Sequence, residues 1–303
     1  MLSKPGTAVV LSFPLLAFAG TPLGAFGGPL ETSPHSIVHG KRSFYISPSC
    51  AGSWCPWPEG KHTWCQVGDT EDPFLQESWT AGWNMWVDAF GGSSRASLTT
   101  SYQGLCKDDS KYEHLHVTLT DKKRAATTAG WRKPVSNPSE PQMVMSFDLA
   151  SDWGTGSVAA NLAHEMGHSF GLLHEHQKWM AWHSDLSGDP PRPDPLVKLN
   201  CENLYDYDKF KDEGADMKGL CSGLLFFAAG RGFSAADMLP WGEVTTHEQS
   251  ADFDWKSIML YGSSAGAKEV GKKTLVKFDG GDIAWNLNPS GRDGEAIRIL
   301  YPA

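Results

Sequence analysis

The sequence predicts an α+β fold, and three observations lead to that prediction. Glu77–Phe90 and Gly156–Phe170 carry apolar side chains at spacings of three and four, which is typical of amphipathic helices. His116–Leu119 and Gln142–Phe147 are short segments bounded by proline, glycine or charged residues, which favours strands. Lys178–Pro240 is irregular and rich in turn-forming residues, which indicates surface loops and short helices. Long helices and strands therefore precede a loop-rich region.

Length and composition exclude several classes of protein. The chain has 303 residues, which suits one large domain or two small ones. The 35 acidic residues outnumber the 26 Lys and Arg residues, and this balance argues against a nucleic-acid partner. No apolar run approaches the roughly 18 residues of a membrane-spanning helix. We expect a monomeric globular protein with no nucleic-acid partner and no membrane span.

The first 19 residues have the pattern of a secretory signal peptide. A positive start at Met1–Lys4 precedes the apolar stretch Ala8–Ala19, which ends with alanines at the −3 and −1 positions of a cleavage site. A buried N-terminal strand or helix is the alternative. The pattern predicts a signal peptide over residues 1–19 and a secreted, extracellular protein.

Residues 20–42 are predicted to be a short propeptide. They are rich in glycine, proline and serine and end at the dibasic pair Lys41-Arg42, which proteases of the secretory pathway commonly cut. A solvated pair of charges is the alternative. Cleavage there makes Ser43 the first residue of the mature domain, residues 43–303.

All six cysteines lie beyond this cut, at positions Cys50, Cys55, Cys65, Cys106, Cys201 and Cys221. An even number of cysteines behind a signal peptide indicates disulfide bonds formed in an oxidising compartment. Six cysteines allow 15 pairings, and the sequence does not choose among most of them. We predict one pair, Cys201–Cys221, because both residues lie in a single loop-rich segment.

One short motif indicates a metal centre. His164 and His168 stand four residues apart in the second predicted helix, so both imidazoles lie on one face and can reach a single ion. Glu165 lies beside them, where it can accept the proton of a water on the metal. Gly171 permits a left-handed turn that ends the helix and brings His174 round as a third ligand.

Three neutral histidines leave one coordination position for water, which is the arrangement of a catalytic zinc site. Chance would give about 0.00007 matches to this extended pattern in a chain of this composition, so the motif is specific. We predict one catalytic Zn²⁺ held by the three histidines.

The extended motif resembles that of the metzincins, and Glu175 directly after the third histidine resembles the astacin family in particular. A second match is Ser257–Gly262, which is similar to the family's Met-turn. The resemblance implies that Met259 lies beneath the zinc as a hydrophobic base. It also implies that Tyr261 is a further zinc ligand that swings away to assist catalysis. The resemblance covers the chain from about Asn161 to the C-terminus, and the preceding part is compatible with it.

The resemblance has further implications for fold and function. It implies a metzincin zinc-protease fold with a twisted mixed sheet and two long helices in the N-terminal lobe. A loop-rich C-terminal lobe would follow the third histidine. It implies that Gln142–Phe147 is the edge strand against which an extended substrate pairs, and that Glu175 pairs with the amine of the mature N-terminus. Residues 43–303 would form the catalytic domain of a secreted zinc endopeptidase acting on proteins or peptides.

Some features depart from the family. The interval from His174 to Met259 is about twice the usual length, and an insertion at Lys178–Pro191 and more around the Cys201–Cys221 segment would account for it. These additions could form a rim over the cleft. We interpret His176, His183 and His247 as surface histidines.

A non-catalytic zinc-fold binding or adhesion module is the alternative function, and hydrolysis of a non-peptide substrate is a third. The intact Glu165 favours the peptidase.

Overall fold

The structure is a computed structural model. It describes residues 44–50, 54–107, 113–133, 141–183, 194–222, 225–241, the backbone of 247–248, and 252–303. The predicted signal peptide and propeptide lie outside these residues and stay predictions. Among the described helices, none is long and apolar enough to cross a membrane.

Short strands and helices alternate along the described chain. The strands are β1 Tyr45–Ile46, β2 Trp54–Cys55, β3 Lys61–Val67, β4 Thr99–Leu105, β5 Leu115–Leu119, β6 Ala125–Thr127, β7 Trp131–Arg132, β8 Val144–Phe147, β9 Val197–Leu199, β10 His247–Glu248 and β11 Leu275–Lys277. The α-helices are α1 Pro73–Ala89, α2 Val158–Phe170, α3 Trp179–Trp182, α4 Tyr207–Asp212, α5 Met217–Ser222, α6 Leu225–Ala229 and α7 Gly291–Leu300. The two long helices and the strands predicted from the sequence are confirmed, with shifted ends.

Five strands form a mixed sheet in the order β4-β3-β5-β8-β6. The first four are parallel, and β6 alone runs antiparallel, with Ala125 opposite Phe147 and Thr127 opposite Met145. The prediction that Gln142–Phe147 is the edge strand is therefore wrong, because β6 covers the free side of β8. The strand β6 has only three small residues, so the sequence carries no alternating pattern that would reveal it.

Helix α1 begins four residues before the predicted start. The Asp72 carboxylate accepts hydrogen bonds from the backbone N–H groups of Phe74 and Leu75, at 2.9 and 3.1 Å, and so caps the helix. Helix α1 packs against α2, where the indole of Trp86 donates to the Ala163 carbonyl at 2.8 Å. The sheet and both helices share one apolar core with the C-terminal helix.

Helix α2 is held at its C-terminal end by three distant parts of the chain. Gly171 adopts a left-handed conformation with φ of 107°, as predicted, and ends the helix. The carbonyls of the last three residues then accept long-range hydrogen bonds: His168 from the Gly130 N–H at 2.9 Å, Ser169 from the Trp57 indole at 2.7 Å, and Phe170 from the Tyr301 hydroxyl at 2.8 Å. These bonds satisfy carbonyls that a helix end leaves unpaired.

The chain after His174 forms a second lobe of short helices, turns and the β9–β11 ribbon. A separate apolar cluster fills it, built largely from the segment between the two predicted site motifs. The predicted disulfide Cys201–Cys221 is confirmed within this lobe, and the other pairs are Cys50–Cys55 and Cys65–Cys106. The expected division into a sheet-containing lobe and a loop-rich lobe is confirmed.

Candidate metal centre

Three histidines converge where the two lobes meet. Helix α2 supplies His164 and His168 from one face, and the chain beyond Gly171 turns back to bring His174 beside them. The Nε2 atom of His174 lies 3.2 Å from Nε2 of His164 and 3.0 Å from Nε2 of His168. The three ring nitrogens therefore face one point.

The opposite nitrogen of each ring faces an acceptor. Nδ1 of His164 donates to the Ile258 carbonyl at 2.8 Å, and Nδ1 of His168 donates to the Leu172 carbonyl at 2.9 Å. Nδ1 of His174 lies 3.1 Å from Oε1 of Gln177. Because these oxygens only accept, each Nδ1 carries the proton and each Nε2 presents a lone pair.

Burial keeps the three imidazoles neutral. It lowers the pKa of His164 to about 4 and that of His168 to about 3, and it lowers the pKa of His174 well below the usual value. Neutral imidazoles are the form that binds metal ions. Three convergent neutral nitrogens with fixed tautomers fit a zinc ion.

Glu165 lies on the same helix and is buried beside the three rings. The hydroxyl of Thr127, at the end of the edge strand β6, donates a hydrogen bond of 2.6 Å to its Oε2 atom. Burial raises the pKa of Glu165 to about 7, and the hydrogen bond from Thr127 opposes this rise. A carboxyl with this pKa can both take up and release a proton near neutral pH.

Met259 packs directly against the helix that carries the histidines. It is completely buried, and a Cβ atom placed on Gly167 would lie only 2.5 Å from its sulfur. The same Cβ would lie 2.9 Å from the ring of Trp86. Gly167 therefore allows the turn that contains Met259 to pack directly against α2, because a side chain at this position would collide with Met259 and Trp86. The motif by itself does not reveal this role.

Tyr261 lies against the histidine cluster. Its ring centroid is 4.3 Å from that of His174 and 5.8 Å from that of His164. Its buried surroundings raise the pKa of the phenol well above the usual value, so the hydroxyl keeps its proton. The structure thus places the Tyr261 ring beside His164 and His174, and its role as a metal ligand stays a prediction.

Glu175 is completely buried behind the site. Its Oε1 atom accepts hydrogen bonds from the Lys178 ammonium at 2.5 Å and from the Asp254 N–H at 2.7 Å. Its Oε2 atom has no hydrogen-bond partner among the described residues. Phe44 lies near this segment, since its carbonyl accepts a hydrogen bond from the Leu173 N–H at 2.9 Å. Ser43 lies outside the described residues, so the pairing of Glu175 with the mature N-terminus stays a prediction.

One histidine near the site is not where the sequence analysis placed it. His176 was expected at the surface but is completely buried, and its Nε2 donates to the Asp237 carbonyl at 2.9 Å. The prediction is wrong because the segment around Asp237, in the long interval between His174 and Met259, covers this histidine. His183 is exposed as predicted, and the side chain of His247 lies outside the described part of the chain.

The mixed sheet, the two long helices and the histidine triad at the end of the second helix define the metzincin zinc-protease fold. No protein-family model matches the sequence, and no curated protein does. Among solved structures, one of myroilysin matches with a TM-score of 0.50 and 16% identity, over 86% of this chain and 99% of that one. This likeness confirms the fold implied by the resemblance to the astacins.

Two further solved structures are similar at lower TM-scores. A second structure of myroilysin has a TM-score of 0.46 and 17% identity, over 91% of this chain and 99% of that chain. High choriolytic enzyme 1, a hatching enzyme zinc-protease from Oryzias latipes (Medaka fish), has a TM-score of 0.44 and 15% identity, over 84% of this chain and 96% of that chain.

Proposed function

We propose that this protein is a secreted zinc-dependent endopeptidase that hydrolyses peptide bonds of proteins. The observation that carries the proposal is the convergence of three neutral Nε2 atoms, each with its Nδ1 on an acceptor, beside a buried carboxyl. His164, His168 and His174 would hold one zinc ion, and Tyr261 would be a further ligand. Zinc, when bound, polarises a carbonyl and acidifies water.

Glu165 is the proposed general base and acid. Its carboxylate would take a proton from the attacking water and deliver it to the departing amine, which suits a group whose pKa burial raises to about 7. Thr127 would hold the carboxylate in place through its hydroxyl. Tyr261, which keeps its proton, would donate a hydrogen bond to the oxygen on which negative charge develops.

The proposed substrates are proteins or peptides that bind in extended form. The antiparallel strand β6 is the sheet edge nearest to Glu165, because Thr127 belongs to it. An extended peptide can add to such an edge through main-chain hydrogen bonds. Such pairing would place a scissile bond beside Glu165.

A non-catalytic zinc-fold binding module is the second candidate. It would need the three histidines but neither a buried carboxyl nor a hydroxyl directed at that carboxyl. The bond between Thr127 and Glu165 therefore favours the peptidase. Secretion is proposed from the predicted signal peptide and agrees with the three disulfide bonds.

Metal removal tests the proposal directly. We expect the mature protein, residues 43–303, to contain about one zinc ion per chain and to cleave denatured casein. Treatment with 1,10-phenanthroline should abolish cleavage, and added zinc should restore it. Zinc content is measured by atomic emission, and cleavage by release of labelled peptides.

Two variants serve as a matched pair for this experiment. His168→Ala should lose both zinc and activity, whereas His183→Ala, at an exposed histidine, should keep both. Zinc binding without cleavage in the unmodified protein would favour the binding module. Cleavage that survives complete removal of the metal would contradict the proposed enzyme.

The Thr127 hydroxyl supports a second prediction. Thr127→Val keeps the shape of the side chain but removes the donor to Glu165, and a hydrogen bond to a charged group is worth about 1.5–3 kcal/mol. We expect kcat/KM for a peptide substrate to fall about 10–100-fold with unchanged zinc content. Thr127→Ser should restore most of the activity. Equal rates for the Val variant and the unmodified enzyme would show that the hydroxyl does not assist Glu165.

A further inference from the structure

Gln177 joins the third histidine to a distant part of the second lobe. The segment Ser234–Trp241, here called the brace segment, lies against it. Oε1 of Gln177 accepts from Nδ1 of His174 at 3.1 Å and from the indole of Trp241 at 3.2 Å. Its amide nitrogen donates to the carbonyls of Ala236 and Leu239, at 3.0 and 3.1 Å. Gln177 is buried, and the brace segment supplies three of these four partners.

These partners allow only one orientation of the amide. A rotation that exchanged its oxygen and nitrogen would direct the NH₂ group at the Trp241 indole N–H, which is a donor. It would also direct the oxygen at the carbonyls of Ala236 and Leu239, which are acceptors. Each mismatched buried group would cost the free energy of an unmade hydrogen bond. The brace segment therefore fixes which atom of Gln177 faces His174.

The orientation of Gln177 decides the tautomer of His174. His164 and His168 donate to backbone carbonyls, which can only accept. His174 instead faces a side-chain amide, which presents an oxygen or an NH₂ group according to its orientation. With the oxygen presented, Nδ1 holds the proton and Nε2 offers its lone pair. The third imidazole thus depends on the brace segment in a way that the other two do not.

We propose that Gln177 is a positioning residue through which the brace segment holds His174 in its metal-binding tautomer. The proposal rests on the proposed zinc peptidase function. It assigns part of the long interval between His174 and Met259 a role in the metal site.

Other contacts hold the brace segment in place. The Asp206 carboxylate accepts hydrogen bonds from the N–H of Ser234, at 2.9 Å, and from its hydroxyl. The Asp237 carbonyl accepts from His176 at 2.9 Å, and the Trp241 N–H donates to the Gln177 carbonyl at 3.2 Å. Both ends and the middle of the segment are therefore attached to buried groups of the lobe.

The test combines zinc affinity with the tautomer of His174. Gln177→Met keeps the length of the side chain but removes the acceptor, and loss of such an outer partner typically weakens metal affinity about 10–100-fold. Affinity is measured by competition with a chromophoric chelator. In the metal-free protein, long-range ¹H–¹⁵N spectra should show His174 protonated at Nδ1. They should show a mixture of tautomers in Gln177→Met.

Trp241→Phe provides a second variant that keeps the aromatic packing but removes the indole donor. We expect a smaller loss of zinc affinity and a partial shift of the His174 tautomer. In this variant the NH₂ group of a reversed Gln177 amide would no longer face the indole N–H, although the carbonyls of Ala236 and Leu239 would still oppose the reversal. This variant decides the question if Gln177→Met fails to fold. Gln103→Met and Trp255→Phe, at an exposed strand glutamine and a partly exposed tryptophan, are the matched controls and should change neither readout.

The outcomes separate the two proposals. Zinc affinity and a His174 tautomer unchanged from the parent protein in folded Gln177→Met would overturn the role of Gln177 and leave the peptidase proposal intact. Failure of the parent protein to bind zinc or to cleave casein would overturn the peptidase proposal itself.

Discussion

Glu165→Gln should lower kcat for peptide cleavage by about 10²–10⁴-fold, the usual contribution of a positioned general base. The amide keeps the size of the side chain and can still accept from Thr127 Oγ1, but it cannot take up a proton. Because Glu165 is not among the three converging nitrogen ligands, zinc content should stay at about one ion per chain. Steady-state kinetics on a fluorogenic peptide, with zinc analysis of the same sample, measure both quantities.

Glu213→Gln is the matched control, because it makes the same chemical change at an exposed helix end. It should leave kcat and zinc content unaltered. An active Glu165→Gln enzyme would exclude Glu165 as the base. A variant that lost its zinc would instead show that the residue supports the metal site.

Gly294→Ala should give the largest loss of stability of the variants considered. Helix α7 packs so closely on α1 that a Cβ atom on Gly294 would lie 2.1 Å from the Ala89 carbonyl oxygen and 2.8 Å from the Phe90 nitrogen. Backbone atoms cannot rotate away, so the helices must separate. We expect the free energy of unfolding to fall by about 3 kcal/mol, the upper end for overpacked sites. The melting temperature should fall by about 6–12 °C.

The effect should extend to the metal centre. The neighbouring Asp293 carboxylate accepts hydrogen bonds from the Ser257 hydroxyl and the Ile258 N–H, at 2.7 and 2.9 Å. The carbonyl of Ile258 in turn accepts from His164. A displaced helix would therefore loosen the turn that orients the first histidine, and zinc affinity should fall as well.

Gly291→Ala on the same helix is the control for Gly294→Ala. No atom lies within 4 Å of the Cβ position at Gly291, and the backbone there does not require glycine. Its stability should stay within about 1 kcal/mol of the parent protein. Denaturant unfolding of the metal-free proteins avoids the stabilisation that bound zinc adds. Equal stability of the two variants would contradict the close packing of α7 on α1.

The three histidines could be predicted because their geometry is local. Spacing of four on a helix and a glycine after the helix indicate where His164, His168 and His174 lie. Thr127 and Gln177 could not be predicted in the same way. Thr127 contacts Glu165 from 38 residues away along the chain. Gln177 lies close to His174 in sequence, but the carbonyls that orient its amide are 59 and 62 residues away, and no motif specifies them.

The fold could be predicted where apolar residues recur at helical spacing over a long stretch of sequence. Helix α2 follows from its apolar spacing. The start of α1 differs from the predicted start, because the apolar spacing begins at the tryptophans further along, although Asp72 and Pro73 form a common helix-start signal. Strand β6 could not be recognised, since its three small residues become a strand only by pairing with β8. The burial of His176 could not be predicted because it depends on Asp237, 61 residues further along the chain.

The hydrogen bonds at the end of α2 have a consequence for how the metal-free protein behaves. Donors from Gly130, Trp57 and Tyr301 hold its last three carbonyls, so the last turn cannot fray without separating three distant segments. Amide hydrogens in such a turn exchange with solvent only through a large, cooperative opening. The metal-free chain should therefore protect the amide hydrogens of the last turn of α2, which contains His168, about as well as those of the core. Zinc would then return to a preformed site without refolding of the helix.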